Sequence, residues 1–207
     1  MVIVEAVVET YGKEEFTAWP VAGPVADGLL PLSGRMTAAE VGTVMAVIAV
    51  GSAYFAEEEI ADTDGAGLLR HLARADDVIA PGGLRFRDND IVVPPGCCYG
   101  LESWRDWLDL PSEPWLGHNP TPGLRHQDGL LRLWPDKDRA PDPPPEATIQ
   151  FPTGQLPGLL AAVQHDLGGF LSLVARWAQI HTPASADRLV TVLDEQLQIT
   201  APLTVSR

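Results

Sequence analysis

The chain has 207 residues, of which 45% are hydrophobic and 20% charged. That length suits one compact domain, and the apolar share supplies a core, which excludes a chain disordered throughout. A formal net charge of −14, with no Lys/Arg cluster, excludes a basic footprint for phosphate backbones, so no nucleic-acid partner is expected.

Met1–Tyr11 is rich in Val and Ile and reads as a first strand. It carries Glu5 and Glu9 and lacks a basic start, which reads against a signal peptide. Residues 12–36 place Pro20, Pro24 and Pro31 among glycines and read as an irregular loop. Thr37-Ala38-Ala39-Glu40 then fits a capping box, in which the Thr oxygen takes a free amide and the Glu reaches back. A helix from about 38 to 60 follows as an expectation, although Val44, Val47, Ile48 and Val50 also suit a buried strand. The longest apolar run, Val41 to Ala56, is interrupted by Gly42, Thr43, Gly51 and Ser52. It falls short of the roughly 20 residues a membrane helix needs, so no membrane partner is expected. Glu57-Glu58-Glu59 reads as a solvated face. Asp64 is a second N-cap, ahead of Leu68-Leu69-Arg70-His71-Leu72.

Val78-Ile79 opens a β section. Leu84–Arg87 and Ile91–Val93 flank Asp88-Asn89-Asp90, a hairpin turn, because Asn and Asp tolerate positive φ. A tight turn holding Cys97 and Cys98 leads into a helix over 101–109. Leu124–His126 and Leu130–Trp134 flank Gln127-Asp128-Gly129, a second hairpin signal. The Pro-rich stretch 135–147 reads as an extended, mobile surface loop, and Thr148–Phe151 as one more strand of the same sheet. Leu156, Leu159, Leu160, Val163, Leu167, Phe170, Leu171, Val174 and Trp177 form the stripe of a long helix, about 154–179. Pro157 sits harmlessly in its first turn, and Gly168-Gly169 permit close packing. A last helix covers about 184–197. The sum is a single α+β domain over 1–207, with a mainly antiparallel sheet and helices packed on one face.

Gly96-Cys97-Cys98-Tyr99-Gly100 has the form glycine, any residue, nucleophile, any residue, glycine, centred on Cys98. His118, His126, His165 and His181 are candidate bases, and Asp106, Asp128 and Asp166 could orient one. Against this, Pro94-Pro95 interrupts the strand and no parallel-sheet pattern precedes the turn. A buried structural thiol at a bend is the preferred reading. A zinc site from Cys97, Cys98, His118 and His126 is disfavoured, because vicinal cysteines rarely point at one metal and the usual Cys spacing is missing. Asp62–Gly67 echoes a calcium loop, but Ala73 holds the place of its closing glutamate, so a helix cap is the better reading. No metal, no cofactor and no catalytic set are therefore expected.

Trp104, Trp107 and Trp115, beside Asp106, Asp109, Glu113 and His118, offer a candidate acidic-aromatic contact surface. The same rings, with Trp134, suit core positions over the sheet better still, and Trp104, Trp107 or Trp115 could also be a platform for a small molecule or sugar.

The block PGCCYGLESWRDWLDL, followed by PWLGHNP and GLLRLWPD, resembles a group of uncharacterised actinobacterial proteins over roughly residues 77–180. Arg outnumbers Lys strongly, and Ala, Pro, Leu and Asp abound, which fits a GC-rich bacterial gene. The small, acidic α+β plan also resembles immunity proteins of bacterial toxin systems. That resemblance implies a cytoplasmic protein-binding protein whose partner is a basic toxin domain, and it assigns no residue a role. The alternatives are a cysteine-dependent hydrolase or transferase built on Cys98, His118 and His126, and a small-molecule-binding module.

Overall fold

The structure is a computed structural model that describes residues 1–10, 16–57, 61, 64–110 and 114–204. Tyr11 at the end of the expected first strand, Glu58, Glu59, Asp62, Thr63 and Glu113 lie outside the described residues.

Alternation sets the first sheet. In β1 (Ile3–Glu9), Val4 and Ala6 stand opposite Phe86 and Leu84 of β3 (Gly82–Asp88), and all four enter the core. The opposite face pairs Glu5 with Arg85 in direct register. The Arg85 guanidinium, almost wholly buried, reaches Glu5 at 3.0 Å and Asp27 at 2.7 Å. β2 (Leu29–Pro31) pairs with β1, and β4 (Ile91–Val93) returns beside β3. The sheet order is β2-β1-β3-β4, antiparallel throughout. β2 falls inside the stretch expected to be irregular. It is too short to show a period of its own, and its partner β1 defines it.

A second antiparallel sheet, β5 (Gly123–Gln127), β6 (Leu130–Trp134) and β7 (Ile149–Pro152), forms a meander. Its first turn has φ of 53° at Asp128 and 77° at Gly129, the left-handed pair that a two-residue hairpin requires. The strand expected near 148–151 is present, but it extends this second sheet and not the first. The sheets meet where the Phe86 and Phe151 rings stack at 6.3 Å and Phe86 leans on Trp107 at 4.5 Å. Of the Pro-rich stretch, Arg125 holds Asp142 at 2.8 Å, Lys137 N donates to Thr121 O at 2.8 Å, and Arg132 donates to Pro143 O at 3.2 Å.

Helix α1 (Ala38–Phe55) starts on the expected capping box: Glu40 N donates to Thr37 Oγ1 at 3.2 Å, and Thr37 N donates to Glu40 Oε2 at 2.7 Å. Its residues from Val41 to Ala49 are all buried, so it runs through the centre of the molecule. By length and composition, α1 and the helical stretch 153–181 both qualify as membrane spans, with 61% and 33% of their apolar windows buried inside the protein. The length argument made on the sequence therefore does not hold; burial in the core accounts for most of the apolar surface of α1. Helix α2 (Gly65–Leu72) starts where Asp64 Oδ1 accepts from Gly67 N at 2.9 Å.

Helix α3 (Leu156–His181) presents its stripe to β1, α1 and α4 (Ala186–Leu197). Of the two central glycines, only Gly169 allows close approach: a Cβ there would lie 2.7 Å from Gly34 N, whereas one at Gly168 would meet nothing. The segment Leu101–Asp109 is helical as expected, but wound as a 3₁₀ helix. With 41% helix and 19% strand among the described residues, segregated rather than alternating, the fold is α+β.

Candidate functional site

The turn after β4 is built by close backbone contact. Cys97 N donates to His118 O at 2.7 Å, and His118 N returns the bond to Cys97 O at 3.1 Å. This bridge brings two distant segments so near that side chains are excluded. A Cβ on Gly117, whose φ is +92°, would lie 2.5 Å from the Gly96 carbonyl carbon, and one on Gly96 would lie 2.5 Å from Leu116 O. Cys98 itself is left-handed, with φ of 67°. Its sulfur comes back to within 3.2 Å of the Cys97 sulfur.

The result is a triangle. The Cys97 and Cys98 sulfurs and a ring nitrogen of His118 all lie within 4.8 Å of one another. Cys98 and His118 are exposed and Cys97 is half-buried, so the expected buried thiol at this bend is not found: the left-handed turn carries the Cys98 side chain outward. The Cys97 thiol is pushed up to about 11, chiefly by its hydrogen bond with Cys98, then by burial and by the negative fields of Cys98 and Glu9. Without a bound cation it is therefore protonated at neutral pH. Both cysteines are free thiols.

Of the histidines weighed as bases, only His118 joins the thiols. His126 projects from β5, exposed and opposite Leu131, outside the triangle. His165 and His181 belong to α3. No carboxylate hydrogen-bonds to the His118 ring among the described residues. Asp106 lines a groove with Tyr99 instead, Asp128 occupies a hairpin turn, and Asp166 lies on α3. Thiol and imidazole thus lie within 4.8 Å, but among the described residues no hydrogen bond joins them and no third group orients the ring as a catalytic base requires.

The expected contact surface needs correction. Trp104 and Trp107 are 0% and 4% exposed, so neither ring faces a partner or a ligand. The core demanded them: each lies on the inner side of the 3₁₀ segment, and the Trp104 ring nitrogen donates to Leu197 O at 2.8 Å. Trp134 is buried too. Trp115, at 56% exposure, remains outside. It stands edge-on to Tyr99 at 6.0 Å, at a groove of about 530 Å³ that Asp106, Leu108, Asp109 and Pro114 also line. Asp106 and Asp109 are exposed. Burial, then the charge and hydrogen bond of Asp106, raise the Tyr99 phenol, so Tyr99 keeps its proton.

A second cleft, of about 880 Å³, was not visible in the sequence. It lies between α1, α2 and the 3₁₀ segment, with Ser52, Arg70, His71, Arg74, Asp76 and Glu102 on its walls. Ser52 Oγ is occupied, accepting from Ile79 N at 3.1 Å, and Glu102 Oε2 accepts from Ala80 N at 3.1 Å. Burial raises the Glu102 carboxyl above its ordinary value. These groups hold the Val78–Pro81 connection in place, and they do not converge on one reacting point.

Comparison of the chain with protein-family models, with curated proteins and with solved structures gave no match. Fold and site together define an acidic α+β protein with a thiol–imidazole triangle beside an aromatic groove.

Proposed function

We propose that the protein is a cytoplasmic binding protein that masks a basic protein partner, as an immunity protein masks its toxin, and that the partner docks at the Trp115 groove. One observation carries the reading: an exposed indole stands beside the carboxylates of Asp106 and Asp109, on a chain of net charge −14. A Lys or Arg side chain satisfies both features at once, resting on the ring and pairing with a carboxylate. The remaining negative charge speeds encounter with a cationic surface.

Coexpression with any toxin domain encoded beside the gene tests this. The expected outcome is rescue of growth by the wild type, lost on Trp115→Ala. Binding measured in vitro weakens about 30-fold in that variant, the loss typical of a central aromatic anchor. Asp106→Asn with Asp109→Asn slows association and flattens its dependence on salt. If no neighbouring toxin is neutralised, or the three substitutions change nothing, the reading fails.

A cysteine-dependent hydrolase or transferase is the second reading, favoured by the proximity of Cys98 to His118, within 4.8 Å. It requires rapid labelling of one cysteine by iodoacetamide near neutral pH, slowed by His118→Ala. Labelling confined to denaturant excludes it.

A further inference from the structure

We infer that Cys97, Cys98 and His118 form a three-ligand site for a thiophilic divalent cation, zinc being the ion whose chemistry fits best. Two sequence objections stood against such a site, and the fold removes both. Adjacent side chains ordinarily diverge, yet the left-handed backbone at Cys98 turns its sulfur to the same side as that of Cys97, 3.2 Å away. The usual short Cys spacing is replaced by the bridge that carries His118 to Cys97, so the third donor arrives by strand pairing.

Size supports the assignment. Zn–S near 2.3 Å and Zn–N near 2.0–2.1 Å in a tetrahedron place the sulfurs roughly 3.8 Å apart and each about 3.6 Å from the nitrogen. The three donors here lie within 4.8 Å of one another, with the sulfurs at 3.2 Å. Opening the thiol pair by about half an ångström and drawing in the ring would produce that triangle. Sulfur and imidazole suit zinc, whereas magnesium and calcium prefer oxygen ligands. Because Cys98 and His118 are exposed, the fourth position opens to water.

The step balances simply. Zn²⁺ displaces the thiol protons, two Zn–S bonds and one Zn–N bond form, and about two protons pass to buffer. The site becomes neutral overall. A disulfide between the same thiols is a poorer product. Cα atoms of neighbouring residues are about 3.8 Å apart, below the roughly 4.4 Å minimum of an unstrained bridge.

The test uses the full chain, reduced and stripped by a chelator. Zn²⁺ is titrated in competition with a chromophoric chelator, and Co²⁺ serves as the spectroscopic probe. The expected result is one ion per chain, a thiolate-to-cobalt charge-transfer band, and affinity that falls as pH is lowered. Cys98→Ser and His118→Ala each weaken binding about 100-fold or more, beyond what loss of an outer partner costs. Both positions are exposed, so unfolding curves should show the variants folded. His126→Ala, outside the triangle, leaves affinity unchanged. Several weakly bound ions per chain, binding indifferent to Cys98→Ser, or no binding to the reduced chain would each overturn the assignment. Trp115→Ala does not touch the triangle, so this result stands apart from that of the toxin experiment.

Discussion

At the scale of single residues, the site depends on positions where nothing larger than hydrogen fits. Gly117 combines a left-handed φ of +92° with a backbone neighbour 2.5 Å from any added Cβ. Gly117→Ala should therefore cost on the order of 1–3 kcal/mol in urea unfolding and separate His118 from the cysteines. An alanine variant as stable as the wild type would mean that the bridge is not rigid. The cysteine turn was legible in the sequence, because paired glycines around adjacent thiols mark a bend. His118 as their companion was not: nothing local distinguishes it from His126, and only the pairing of residues 97 and 118 selects it. The tryptophans show the same limit. Trp104 and Trp115 look alike as letters, and their opposite exposures follow from which side of a tertiary contact each one meets.

At the scale of elements, local chemistry was read well where it acts within a few residues. Both helix starts, Thr37 with Glu40 and Asp64, and both hairpin turns appear where their capping oxygens and turn residues placed them. β2 and the division into two sheets were missed because partners far away in the chain define them. The paired glycines of α3 make a sharp test of packing. Gly168 faces open space, so Gly168→Ala should stabilise the protein by about 0.5–1 kcal/mol through helix propensity. Gly169→Ala drives a methyl into the Gly34 backbone and should destabilise by about 1–3 kcal/mol. Thermal or urea unfolding of the two variants decides it, and equal shifts would show that α3 and the Gly34 loop are not in firm contact.

At the scale of the whole molecule, excess negative charge and partial burial act together. Burial raises the carboxyls of Glu9 and Glu102 above the ordinary 4.5. An acid whose value is raised by folding stabilises the native state fully below its unfolded value, and that contribution is lost as pH rises through the folded value. Stability should therefore decline from about pH 4.5 upward over the window of these shifts. The double variant Glu9→Gln, Glu102→Gln should be more stable than the wild type at pH 7, with the difference vanishing near pH 4. Glu146→Gln, an exposed residue of equal charge, controls for the general relief of repulsion. A constant difference across that range would show that burial is not the cause.

The clamp between the 3₁₀ segment and the chain after α4 has a bearing on birth as well as stability. The Trp104 nitrogen waits for Leu197, and the Arg105 guanidinium waits for the carbonyls of Gln198, Ala201 and Pro202. On the ribosome, these acceptors emerge long after the groups that need them. A large ring and a cation thus have only water for a partner until that stretch emerges, and the newborn polypeptide cannot finish its interior piece by piece. Nascent chains stalled before α4 should recruit chaperones that completed ones release.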